Sequence, residues 1–249
     1  MLYAKHPVIQ LIRMNNCEIS KILEKQLDLR LFPVAIKLIY RWEEVPKKEQ
    51  SKRTFRSYCH GVMLASEGSR ILILRENIAC QYGAATLGLR DYDDKMLSGK
   101  SQYAEGAFGN LEAAKNAVVG GHEIKTGTKA IFLSPLAEAD EDYQIVLIPI
   151  TPEQGMLLLM AYNYKTGNVT KSLMKASGLQ AFCRDCTAYP LLTGNINFSL
   201  VAVGDRMRSG LPPQYMLVGI PKEKVSEIAE NLEIMGQKLI PRYRSSTRC

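Results

Sequence analysis

The residues of this 249-residue chain with the most specific chemistry are its six cysteines, Cys17, Cys59, Cys80, Cys183, Cys186 and Cys249. Four of them form a pattern. Cys59 and Cys80 are separated by 20 residues, and after a further 102 residues comes the Cys-x2-Cys pair Cys183 and Cys186. Two thiols three apart at a helix start share a face, and the helix N-terminus lowers their pKa, so the pair is suited to one metal centre. Cys59 and Cys80 would complete a four-sulfur site for zinc or an iron–sulfur cluster. Zinc ribbons usually pair two Cys-x2-Cys knuckles, whereas clusters accept thiolates from distant loops, so the scattered spacing points to iron–sulfur, 4Fe-4S first, with zinc as the alternative. Three cysteines would suffice if one iron were left open to substrate. A lone Cys-x2-Cys also describes a thiol oxidoreductase, with Cys183 attacking and Cys186 resolving, or simply two buried side chains. Cys17 and Cys249 lie in terminal segments and make poor ligands.

Candidate partners for these thiols are cationic. Gly204-Asp205-Arg206-Met207-Arg208 follows the apolar run Phe198–Val203. A turn there would present Arg206 and Arg208 to a small anion, with Asp205 orienting one guanidinium and the other left for ligand. The competing reading is a structural Asp–Arg turn. Arg56, three residues before Cys59, is a further anion or sulfide donor, or a surface arginine of a basic loop. Gln154 stands at a helix start that would welcome an anion, although a capping role explains it as well. His60 and His122 read as exposed and loop histidines rather than ligands. Phosphate-binding glycine loops, the dinucleotide fingerprint, His-Glu-x-x-His and Gly-x-Ser-x-Gly are all missing from the sequence, which removes motif support for nucleotide, zinc-protease and hydrolase chemistry.

Helices and strands intermix along the chain, so the expected class is α/β or α+β, a mixed sheet flanked by helices. Ile19, Ile22, Leu23 and Leu27 predict a helix over 18–29, and Pro33 opens a strand over 33–40. Residues 58–66 read as a helix stopped at Gly68, and 70–74 as a buried strand. A helix is expected over 80–87, and another over 110–119 with an Asn cap and a Gly-Gly stop. Strands follow at 129–133 and 144–150. Thr151-Pro152-Glu153-Gln154 is a capping box opening a helix to about residue 164. Strands at 195–203 and 215–220 precede a last amphipathic helix from Pro221 through Met235. The order strand, Tyr58-Cys59 with helix, glycine, strand recurs as strand, Phe182-Cys183 with helix, glycine, strand. Two related halves, 18–136 and 137–236, would then face one another across a shared cysteine site.

The charge balance is +7, and it is localised. Residues 41–56 carry net +3 and 238–249 net +4, so the rest of the chain is neutral on balance. Neither segment has the aromatic ladder or helix-turn-helix pattern of a nucleic-acid binder, and both read as a solvated loop and a frayed tail. Apolar runs are far shorter than a membrane span, and residues 1–15 lack a secretory signal. The expectation is a soluble cytoplasmic protein with reduced cysteines, binding neither nucleic acid nor membrane, and oligomeric assembly is left open. Residues 1–17 read as an N-terminal extension, with Met14 as an alternative start, and 237–249 as a basic tail.

The succession Pro33-Val-Ala-Ile-Lys-Leu, Arg56-x-Tyr58-Cys59, Cys80-x-x-Gly83-Ala84, Leu87-Gly88-Leu89, Ser134-Pro135-Leu136, Thr151-Pro152-Glu153-Gln154, Cys183-x-Asp185 and Gly204-Asp205-Arg206 resembles domain-of-unknown-function family 169 of archaea and anaerobic bacteria. The resemblance runs from about residue 18 to 236. It implies one module, recurring Cys59, Cys80 and Cys183, and an anaerobic host; Cys186 is the cysteine the pattern places least firmly, and no established reaction is implied. The resulting expectation is an iron–sulfur redox protein that transfers electrons to a partner protein or reduces a small anion, held to be so by Cys59, Cys80, Cys183 and Cys186 with Arg56, Gln154, Arg206 and Arg208 on the ligand. A zinc-stabilised binding module and a thiol oxidoreductase are the alternatives.

Overall fold

The structure is a computed structural model that describes residues 14–46, 54–174 and 180–246. Residues 1–13 of the expected N-terminal extension, 47–53 of the basic loop and the end of the tail with Cys249 lie outside these residues. In chain order the elements are α1 (Asn16–Leu27), β1 (Val34–Ile39), α2 (Tyr58–Ser66), β2 (Ile71–Leu74), α3 (Gln81–Thr86), α4 (Asp94–Leu97), α5 (Lys100–Ala104), α6 (Leu111–Val119), β3 (Ala130–Pro135), β4 (Ile145–Ile150) and α7 (Pro152–Tyr162). Then come a π-helix (Ala181–Ala188), α8 (Tyr189–Thr193), β5 (Asn197–Ser199), α9 (Val203–Ser209), β6 (Met216–Pro221) and α10 (Lys222–Ser246).

Among the described residues the strands form one sheet in the order β2-β3-β1-β4-β6-β5, and each neighbouring pair is antiparallel. The chain is therefore α+β, with an antiparallel sheet where a mixed one was expected. Alternation along the strands divides the core by face. From β1 and β4, Val34, Ile36, Leu38, Ile145 and Leu147 join α2, β2, β3 and the π-helix in one core. Ala35, Val146, Ile148 and Ile150 point the other way, against α1, α7 and α10. Pro149 is tolerated in this central strand because pairing of β4 with β1 stops at Leu147, so its missing N–H falls beyond the neighbour.

The strand order has internal symmetry. Outward from the β1/β4 contact, each side runs first strand, third strand, second strand, and in each set the third strand slots between the two that a helical crossover separates. The π-helix thus occupies in the second set the place of α2 in the first, and α9 the place of α3. The two sets also pack across each other, α2 against α9 and α3 against the π-helix.

Several elements differ from expectation. Expected as a strand over 195–203, the chain pairs only over Asn197–Ser199, because Leu200 and Val203 are exposed (60% and 75%) rather than core. The Gly204–Arg208 turn is the body of α9. The basic tail is not frayed through residue 246: α10 continues to Ser246, burying Ile240, and the Arg244 Nη2 donates to the Gln26 carbonyl at the end of α1 (2.9 Å). No helix of the described residues is long and apolar enough to cross a membrane.

Candidate functional site

Each of three expected ligands sits in or beside the first turn of a helix. Ser57 caps α2, its hydroxyl accepting from the His60 N–H (3.1 Å), which sets Tyr58 and Cys59 in the first turn. Cys80 is itself the N-cap of α3, its sulfur accepting from the Gly83 N–H at 3.5 Å. A Cβ at Gly83 would stand in ordinary contact with Tyr58 (3.5 Å) and the Cys80 sulfur (3.7 Å), so the two helix starts pack side by side there. Cys183 lies in the first turn of the π-helix, which starts at Gln180 in the left-handed region (φ 65°). Tyr58 is buried, and its hydroxyl meets that of Thr187 at 2.9 Å, tying α2 to the π-helix.

These turns enclose a cavity of about 870 Å³ whose wall includes Cys59, Cys80, Cys183, Asp205, Arg56 and Arg208. Tyr82, Ser101, Gln102, Glu105, Phe108 and Gln180 complete its outer side. Asp205 is nearly buried, one of its carboxylate oxygens accepting from the Ala181 N–H (2.9 Å), and the Cys59 thiol is within hydrogen-bonding reach of the carboxylate. Burial raises the Cys59 and Cys183 thiols well above the ordinary range, and the neighbouring Asp205 carboxylate raises them further. The Cys80 thiol is raised by burial against the opposing pull of the Gly83 N–H and the Arg208 guanidinium. Asp205 itself is pushed up to about 6 by burial, opposed by the Ala181 N–H and Arg208. The Asp205 carboxylate thus disfavours the neighbouring thiolates, while the Cys59 thiol, as a hydrogen-bond donor, favours the Asp205 carboxylate.

Four expectations are corrected by this geometry. Cys186 does not line the cavity: it is fully buried on the sheet side of the π-helix, its sulfur 3.8 Å from the Asn197 carbonyl. The spacing argument assumed α-helical winding, but i→i+5 winding has a wider turn, so residues three apart no longer share a face. Arg206 also turns away, donating to the carbonyls of Val201 (3.1 Å), Pro212 (2.7 Å) and Tyr215 (2.7 Å), so it braces the chain between α9 and β6. Asp205 holds the start of the π-helix rather than a guanidinium. Gln154 caps α7 in the expected capping box and donates to the Asp28 carbonyl (2.9 Å), lining a separate groove with Arg30 and Arg244.

The remaining candidates fall outside the cavity wall. His60 packs its ring against Phe55, His122 stacks edge-on to Tyr189, and Cys17 stands in the first turn of α1. Between the two cysteines of the pair, Arg184 is buried (1% exposed) and donates to the carbonyls of Ala117 (3.4 Å) and Val118 (2.9 Å) at the end of α6 and to the Tyr92 hydroxyl (3.1 Å). Sequence reasoning missed Gln180, Gln102 and Tyr82 as cavity residues. Nothing in their local spacing marks them, because Tyr82 of α3, Gln102 of α5 and Gln180 before the π-helix reach one wall only through the tertiary fold. Among the described residues, no group of three or more His, Cys, Asp or Glu side chains is placed to hold a metal ion.

Comparison with known proteins places the chain without assigning it a reaction. An uncharacterised protein of Methanocaldococcus jannaschii is 26% identical over 225 residues, covering 88% of this chain and 96% of that protein. No solved structure matches the chain. The profile of domain-of-unknown-function family 169, described as "Uncharacterised ArCR", matches residues 22–231, which takes in both sets of strands and the whole cysteine cavity. The chain therefore belongs to the DUF169 family.

Proposed function

We propose that the chain is an iron–sulfur protein whose cluster is held by Cys59, Cys80 and Cys183, and whose cavity admits a small anionic substrate. One observation supports the reading: three thiols from α2, α3 and the π-helix, distant in sequence, line a single cavity. Their electrostatics support it. Buried thiols beside a carboxylate remain neutral in the protein alone, and a cationic metal core would favour their ionised forms. The N-termini of α2 and the π-helix add partial positive charge beside Cys59 and Cys183, which further favours thiolate.

Zinc is less well supported, since one ion needs all its sulfurs at about 2.3 Å from a single point. The described side chains form no such group, whereas a cluster binds each thiolate to a different iron and accepts wider spacing. The thiol-oxidoreductase alternative loses its resolving cysteine, since Cys186 is buried away from the cavity. When bound, such a cluster supplies one-electron chemistry and, at an iron without cysteine, a Lewis-acid position. This chain's own residues would do the rest. Arg56 and Arg208 draw an anion to the cavity, Tyr58 fixes α2 against the π-helix, and the buried walls exclude water.

Protein purified without oxygen should contain iron and acid-labile sulfide in near-equal amounts. Cys59→Ser, Cys80→Ser and Cys183→Ser should each lose both, and Cys186→Ser should keep them. Absence of iron and sulfide after anaerobic reconstitution, or equal loss from the Cys186 variant, would overturn the assignment. Zinc bound without sulfide would favour the zinc-stabilised module instead.

A further inference from the structure

The outer part of the cavity carries polar groups that the cluster reading leaves unused. Gln180 lines it at 4% exposure, with its Nε2 held by the hydroxyls of Thr86 (3.0 Å) and Tyr92 (3.3 Å). Its Oε1 is buried and has no hydrogen-bond partner. Such an orphan acceptor costs about 1–3 kcal/mol unless something donates to it. The backbone is also strained there, since Gln180 is one of two non-glycine residues at positive φ among those described. Gln102 is a second buried carboxamide of the same wall. Its Oε1 accepts from the Tyr82 hydroxyl (3.3 Å), while its Nε2 makes no hydrogen bond among the described residues. Each amide is thus pinned at one end and unused at the other. Arg56 and Arg208, both exposed, line the same cavity, as do Phe108 and Tyr82.

We propose that this cavity binds an organic carboxylate carrying a ring or amide N–H beside a carbonyl. The Arg56 and Arg208 guanidiniums take the carboxylate, Gln180 Oε1 accepts from the ligand N–H, and Gln102 Nε2 donates to its carbonyl. A plain dicarboxylate or inorganic anion would leave the two amides unsatisfied, and a site built to hydrogen-bond a polar edge discriminates strongly against a ligand lacking it. The inference rests on the proposed function only in taking this cavity as the reaction site, and ligand binding can be read without iron.

The test is calorimetric titration of anaerobically purified full-length protein whose iron and sulfide are measured on the same sample. Three probes separate the contributions: orotate has both carboxylate and amide edges, benzoate has carboxylate and ring alone, and uracil has the edges alone. Orotate should bind at least about tenfold more tightly than either of the others, each tenfold being about 1.4 kcal/mol. Gln180→Gly suits the left-handed backbone but also removes the hydrogen bonds to Thr86 and Tyr92, so it should lower the melting temperature somewhat and weaken orotate about tenfold in protein that still unfolds cooperatively. Gln102→Leu should weaken it similarly, and Arg208→Ala should bring orotate down to the level of uracil. Benzoate binding as tightly as orotate, no orotate binding, or orotate binding unchanged in both glutamine variants would overturn the proposal. Iron and sulfide present without orotate binding defeat this inference alone. Orotate binding with the expected variant losses in iron-free protein defeats the cluster assignment alone.

Discussion

At the scale of single residues, the site holds the ionisable groups of Cys59, Cys183 and Asp205 at low exposure. Asp205 shows the consequence most directly. Its carboxyl titrates at about 6 in the folded chain against 3.8 for an ordinary aspartate, first because it is buried. Between those values the folded chain holds a proton that the unfolded chain has lost. The metal-free protein should therefore lose stability as pH rises from about 4 to about 6, by up to about 3 kcal/mol. Asp205→Asn keeps an oxygen for the Ala181 N–H and removes the titration. Urea unfolding of metal-free protein at pH 4.5 and pH 7 (roughly the two sides of the titration) should show a fall in the wild type that the variant lacks. A fall of equal size in both would show that Asp205 is not the group responsible. Arg184 and Arg206 illustrate the complementary case, guanidiniums spent on backbone carbonyls rather than on ligand.

At the scale of elements, the π-helix decides which cysteine faces the cavity. It lies on β6 so closely that a Cβ at Gly219 would collide with the Cys186 backbone carbonyl, and a backbone atom cannot swing aside as a side-chain end can. Its buried Asp185 accepts from the Ser199 hydroxyl (2.7 Å), and Asn197 Nδ2 donates to the Asp185 carbonyl (2.9 Å), so β5 pins the same turn. Gly219→Ala should push the π-helix off the sheet, costing about 3 kcal/mol or more by overpacking. The matching readouts are a lowered urea midpoint and loss of iron and sulfide on anaerobic purification. Gly106→Ala, where an added Cβ meets nothing, tests instead a positive φ of 73° and should cost about 1 kcal/mol without touching metal content. Iron retained in the Gly219 variant would mean that the π-helix does not need this contact to aim Cys183.

At the scale of the whole molecule, the two sets of strands share one core and cannot separate cheaply. Val62 and Ile73 of the first set and Phe182 and Leu217 of the second belong to the same buried cluster, and the Tyr58–Thr187 hydrogen bond crosses between them. Parting them would also leave β1 and β4 as bare sheet edges. The full chain should therefore unfold in urea in a single transition, with far-UV and near-UV circular dichroism coinciding. Separate transitions by the two probes would show that the halves are independent units. The cavity and the three cysteines that line it lie where the two sets meet, so loss of either set removes the site entirely.

The sequence by itself determined what a few adjacent residues decide. The capping box Thr151–Gln154, the Asn110 cap and the Cys80 helix start were legible because a cap is satisfied within one turn. The all-apolar run of β4 announced a strand buried on both faces, and the recurrence of Tyr58-Cys59 and Phe182-Cys183 announced the repeated topology. Cys59, Cys80 and Cys183 could be singled out by type and spacing, together with Arg56 and Arg208. Only the tertiary structure decided that those three cysteines line one cavity while Cys186 does not, that Arg206 braces backbone, and that Gln180 and Gln102 line the same cavity. Side-chain direction depends on helix winding, and the winding of residues 181–188 is fixed by contacts with β5, β6 and Asp205 that lie far from it in sequence. Periodicity read along the chain assumes α-helical turns, so it could single out the cysteines but not aim them.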